Sequence, residues 1–100
     1  MAHGQYEWWI GAYELLDRSG VEPWEVMEVL YSPQRWPRTA TSREGLPIPT
    51  VWGRTGDGRA LVVVLRWLRA DSRWQILLAM PMRPRQLAEY TAWEANRDDR

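Results

Sequence analysis

Arg54 and Arg59 bracket the short stretch "TGDG", and Arg83 and Arg85 follow the apolar run "WQILLAM" in "PMRPRQLAEY". A guanidinium is a permanent cation whose planar fork of donors matches phosphate oxygens. Gathered in one concavity, these groups would hold a phosphate-like anion and stabilise negative charge that develops on its oxygens. Such a site must also hold its substrate for in-line attack. A glutamate or a tyrosine of tuned pKa would then move the proton. Other chemistries have few residues to work with. The chain has no cysteine and one histidine, His3. That argues against a Ser/His/Asp triad, a Cys/His pair, a disulfide framework and a Cys- or His-based metal site. No metal and no cofactor are expected.

All thirteen basic side chains are arginine, and thirteen acids balance them. Zero net charge argues against binding nucleic acid by bulk charge alone. An all-arginine set suits bidentate phosphate contacts, although a compositional bias of the gene gives the same count. Eight tryptophans accompany no phenylalanine. Most are expected in the core, with one or two as exposed partner anchors. The 100 residues suit a single domain, 1–100, with ends at 1–4 and 97–100 expected to be flexible. No apolar run approaches the roughly 20 residues of a membrane span. There is no signal peptide pattern, so the expected location is the cytoplasm.

These side chains need elements to position them. Tyr6, Trp9, Ile10, Tyr13 and Leu16 recur at helical spacing, which predicts a helix over 5–18, stopped at Gly20. Pro23 opens a second helix, "PWEVMEVLY", with Trp24, Met27, Leu30 and Tyr31 as its buried stripe. Ser32-Pro33 ends it. The proline-rich segment 34–49 reads as an edge strand plus a loop, and as the segment most prone to move. Strands follow over 50–54, 59–68 and 73–80, joined by "TGDG" and "RADS". The middle one is apolar on both faces and should be central. A last helix covers 83–97, with Leu87, Tyr90, Trp93 and Glu94 along one side. The expected fold is therefore α+β: two N-terminal helices, an antiparallel three- to four-stranded sheet and a C-terminal helix.

Several segments, in order, resemble the BrnT-like toxins of the RelE-like (RelE/ParE fold) ribonuclease toxin superfamily. "YEWW" resembles the family's "F-E-W-D", and "DRSGV" resembles "R-K-H-G-V" with serine for histidine. "PWEVMEVLYSP" resembles the following helix and its "D-P" exit. "VWGRTGDGRALVVVL" resembles "A-L-G-R-S-x-x-G-R-L-L-V-V-V". "ILLAMPMRPRQLAEYTAWE" resembles "I-I-S-A-R-x-A-T-x-x-E-x-x-x-Y-E-E". The similarity covers roughly residues 6–94. It implies a RelE-like fold, metal-independent cleavage of RNA that is free or on the ribosome, and neutralisation by a cognate antitoxin protein. A homodimer is left open. Carried over position by position, Arg54 and Arg59 match the "G-R…G-R" arginines, and Tyr90 and Glu94 match the terminal "Y" and "E". The family's "S-A-R" reads Leu78-Ala79-Met80 here, so its serine and arginine are absent.

The resulting candidates are Arg54, Arg83, Tyr90 and Glu94 for catalysis, with Arg83 reaching back to supply the charge missing at Met80. Arg38, Arg59, Arg66 and Arg85 would bind RNA, and Trp36 and Trp52 would meet the antitoxin or stack a base. Arg35, Arg38 and Arg43 lie in the 34–49 segment, as plain loop charges or as an RNA-guiding flap. Each candidate has a structural alternative: a solvated hairpin end for Arg54 and Arg59, a solvated helix start for Arg83 and Arg85, a core position for Tyr90, Trp36 and Trp52, a surface charge for Glu94. Arg66 either snorkels past Trp67 or pairs with an acid. The opposing functional class is a non-catalytic RelE-fold module that binds protein or nucleic acid.

Overall fold

Residues 60–68 read "ALVVVLRWL", rich in β-branched and apolar side chains that suit a pleated segment covered on two sides. In a computed structural model describing residues 6–97, this segment is strand β4 (Ala60–Leu68), the centre of a five-stranded sheet. The order across the sheet is β1 (Tyr6–Trp8), β5 (Arg73–Pro81), β4, β3 (Pro47–Arg54) and β2 (Trp36–Thr41). Strands β2 to β5 pair antiparallel, and β1 lies parallel to β5, so the sheet is mixed.

Alternation along the strands divides the interior into two layers. Val51, Leu61, Val63, Leu65, Ile76 and Ala79 face helices α1 (Ala12–Ser19) and α2 (Pro23–Leu30), and pack on Leu16, Val26, Val29 and Leu30. Trp52 and Val62 face the other way, towards Tyr90 of helix α3 (Pro84–Arg97). The fold is α+β. Among the described residues, no helix is long and apolar enough to cross a membrane.

Several expectations need correction. The N-terminal segment is not one helix, because Tyr6–Trp8 add to the edge of β5 before α1 begins. Tyr6 and Trp8 sit two apart and pack on one face, a strand period inside a stretch that also satisfied a helical one. Trp9 folds over Gly11, where an added Cβ would lie 2.5 Å from the indole, so the chain turns there. Ile10 (95% exposed) and Tyr13 (57%) are thus outside the core. On α2 the buried side is Val26, Val29 and Leu30, while Trp24 and Tyr31 are each 52% exposed. The sheet has five strands and is mixed rather than wholly antiparallel. Segment 34–49 holds the expected edge strand, β2, but its loop is a tight hairpin: the Ser42 N–H donates to the Leu46 carbonyl at 2.8 Å, and Gly45 takes φ 85°. Strand β3 accordingly starts at Pro47, earlier than expected. Only Trp52 among the tryptophans is buried, the others packing at the margins or lying exposed. Gln5, His3 and the ends at 1–4 and 98–100 lie outside the described residues.

Candidate functional site

The "TGDG" turn closes as expected. The Thr55 N–H donates to the Arg59 carbonyl at 2.9 Å, and Gly58 adopts φ 90°, a left-handed conformation that favours glycine. The turn does not bring the flanking arginines to one place. Arg54 shares the β3 face of Trp52 and points at α3. There its Nε donates to both Glu94 carboxylate oxygens, at 3.1 and 3.0 Å, and its Nη2 donates to Oε1 at 3.0 Å. The Gly58 carbonyl accepts from Nη1 at 3.1 Å, and Thr91 Oγ1 lies 3.4 Å from Nη2. Arg59 turns to the opposite layer, where Nη1 donates to Glu25 Oε1 at 2.8 Å. Glu25 in turn accepts the Glu22 N–H at 2.9 Å, closing a capping box at the start of α2. That backbone bond is the main reason its carboxyl lies below its ordinary pKa; burial opposes the shift and Arg59 assists it.

Tyr90 is wholly buried beside Arg54, whose guanidinium carbon sits 5.5 Å from the ring centre. The Tyr90 hydroxyl donates to the Gln34 carbonyl at 2.8 Å. Burial, reinforced by the Glu94 carboxylate, pushes its pKa up to about 12. A hydroxyl so committed is a poor proton carrier near neutrality, so Tyr90 positions the cluster rather than transferring protons.

A lateral row crosses the sheet beneath α3: Trp36 opposite Trp52, Trp52 opposite Val62, Val62 opposite Met80. Trp36 stacks on Trp93 at 4.8 Å with ring planes 6° apart. Arg38 lies over Trp36 at 4.3 Å and over Trp52 at 4.9 Å, and forms an ion pair with Glu89 of α3. Trp36 and Trp52 are therefore packing residues, not exposed anchors. The exposed tryptophans are Trp24 and Trp67. Leu78 and Met80, which stand where the resembled family has serine and arginine, place apolar groups near this row.

Arg83 and Arg85 are exposed at the start of α3. The Arg83 N–H donates to Gln86 Oε1 at 2.8 Å, the reach-back of a third helical residue to the cap, with Pro84 at the first position. Their guanidinium groups make no hydrogen bond or ion pair among the described residues. Eleven residues separate Arg83 from Glu94, roughly 16 Å of helix. Arg83 thus stays clear of the Arg54 cluster, and the expected four-arginine concavity does not form. Arg66 pairs with an amide rather than an acid: its Nε donates to Gln75 Oε1 at 3.0 Å. Arg43 is exposed in the β2–β3 hairpin.

A groove of about 300 Å³ beside Arg54 is also lined by Glu28, Ser32, Pro33, Thr55 and Gly56. Glu28 Oε1 accepts the Gly56 N–H at 2.8 Å. Among the described residues, no group of three His, Cys, Asp or Glu side chains is placed to hold a metal ion. Sequence reasoning missed Glu89, Gln34 and Glu25 as partners. The only signal was spacing: Glu89 and Trp93 lie four apart on α3, as do Tyr90 and Glu94. No protein-family model matches the chain, and no curated protein matches it.

Proposed function

We propose that the chain is a RelE-fold toxin of a type II toxin–antitoxin pair, of the BrnT-like kind, which cleaves RNA without a metal and is held in check by a protein antitoxin. One observation carries this reading. Arg54 on β3 corresponds to one family position, Tyr90 and Glu94 on α3 some 40 residues on correspond to two others, and the three meet in one cluster. The four-arginine chemistry is replaced by a one-arginine version. The RNA 2′-oxygen bonds to phosphorus as its proton passes to the Glu94 carboxylate. The bond from phosphorus to the 5′-oxygen breaks, and that oxygen takes up a proton from solvent water as it leaves, so the products end in a 2′,3′-cyclic phosphate and a 5′-hydroxyl. Arg54 faces the phosphoryl oxygens, where a positioned donor is worth roughly 10²–10³ in rate.

A second reading, a non-catalytic binding module of the same fold, is favoured by a specific feature. Glu94, Thr91 and Gly58 take all but one of the N–H groups of Arg54, so a phosphate gains it only by displacing Glu94. Induced expression in a bacterial host separates the two readings. The toxin arrests growth and leaves transcripts cut to cyclic-phosphate ends, whereas the binding module does neither.

A further inference from the structure

On the α1/α2 side of the sheet, an aromatic row crosses the strands next to the end of α2, where the Tyr31 ring meets Tyr6 edge-on at 5.8 Å. There Tyr6 lies opposite Trp74, and Trp74 opposite Trp67, so three aromatic residues stand in lateral register across β1, β5 and β4. Trp67 and Trp74 meet edge-on at 4.9 Å, and Trp67 is 42% exposed. Beside this row opens a cavity of about 360 Å³ with Val51 and Leu65 in its apolar lining, Pro49 in its wall and Arg35 as a cation. The Arg35 charge acts on the Tyr6 hydroxyl, so the guanidinium lies within electrostatic reach of the row. Among the described residues the Arg35 side chain makes one hydrogen bond, to the Ser32 carbonyl at 2.9 Å, which leaves most of its donors for a ligand. Among the described residues no carboxylate lines this cavity, although the chain carries thirteen acids. The groove between α1 and α2 has the opposite character, with Glu14, Asp17 and Glu22 and no basic residue.

We infer that the Tyr6–Trp74–Trp67 row and the Arg35 cavity form a stacking platform for single-stranded RNA, separate from the Arg54 cluster. A part-exposed sheet face that carries an aromatic row receives unstacked bases, and a neighbouring arginine takes a phosphate. Rings at successive strands recur about every 4.8 Å across a sheet, a spacing that splayed bases can follow. The acid-free, arginine-bearing lining favours a polyanion over an acidic-rimmed or purely apolar partner segment. The platform rests on the RNA reading above, but not on cleavage.

The test is titration of the full chain with a short 2′-O-methyl oligoadenylate, read by tryptophan fluorescence and by anisotropy over a range of salt. The methylated 2′-oxygen cannot attack, so binding is measured apart from cutting. Trp67→Ala removes a part-exposed ring and should weaken binding about tenfold. Arg35→Gln should weaken it as well and lower the log–log salt slope by about 0.7. Trp24→Ala, on the first turn of α2, should leave affinity unchanged, and circular dichroism should match the parent for all three. Parental affinity in both Trp67→Ala and Arg35→Gln, or no binding of the oligonucleotide, overturns the platform. So does competition in which a Glu- and Trp-containing peptide occupies the site and the oligonucleotide does not, which would give the face to a protein. Loss of binding in the variants while induced expression leaves transcripts intact keeps the platform and removes the ribonuclease reading. Cut transcripts with unaltered variant affinity do the reverse.

Discussion

Arg54 and Glu94 form a bidentate polar pair at the α3 face, with both carboxylate oxygens engaged and both side chains mostly shielded. Removing one partner leaves the other charge poorly solvated. Glu94→Ala should therefore cost about 1–3 kcal/mol, read as a shift in the denaturation midpoint. Lysine in place of Arg54 keeps the charge but loses the fork, and should recover only part of the coupling in a double-mutant cycle. Tyr90 gives a test at alkaline pH. Its folded pKa, raised to about 12, exceeds the ordinary tyrosine value near 10. The folded chain therefore holds the proton more tightly than the unfolded one. The resulting stability is complete below about pH 10 and is lost as pH rises towards about 12. A Tyr90→Phe variant should be less stable at neutral pH, because the Gln34 carbonyl loses its donor, and should show a flatter decline over that window. Glu25 works at the other end of the scale. Its carboxyl is depressed by the Glu22 N–H, so its stabilisation is present above its ordinary value and fades as pH falls through the lowered one.

At the scale of elements, α3 is fastened to β2 and β3 by contacts that few short-range patterns reveal. Trp93 stacks on Trp36, Glu89 meets Arg38, and Arg97 Nη1 donates to the Pro33 carbonyl at 3.0 Å. Trp93→Ala should cost about 2–3 kcal/mol, less than a fully buried tryptophan, and should loosen α3 first in hydrogen exchange. On the other layer, Gly53 passes close under α2: an added Cβ would lie 3.0 Å from Val29 Cγ1. Gly53→Ala should cost about 1–3 kcal/mol through overpacking, seen in the same denaturation experiment. The strand pattern from 59 to 80 was legible because alternation, β-branching and the "TGDG" and "RADS" turns all agree. Residues 6–10 were not, since Tyr6, Trp9, Ile10 and Tyr13 satisfy a helical period while the actual pairing of β1 with β5 spans nearly 70 residues. No local pattern encodes that partner.

Across the whole molecule, charge balance hid a separation of charge. The net charge is zero, yet Glu14, Asp17 and Glu22 line the α1/α2 groove, while Arg35 faces a cavity lined by no carboxylate among the described residues. The resemblance groups Arg54, Tyr90 and Glu94, with Arg83 added to them; the first three meet, whereas Arg83 stands apart at the start of α3. Which way each arginine turns was not readable. Arg59 enters the opposite layer because Arg54 lies opposite Ala60 across the hairpin, and Arg59, one residue before Ala60, alternates to the other face. The central claim is that this chain acts on RNA with a positioned arginine and no metal. The most direct measurement is the 3′-end chemistry of cellular transcripts after induced expression of the folded chain. Growth arrest with new 2′,3′-cyclic phosphate ends is the predicted result. Normal growth with intact transcripts, while folded protein accumulates, would contradict it.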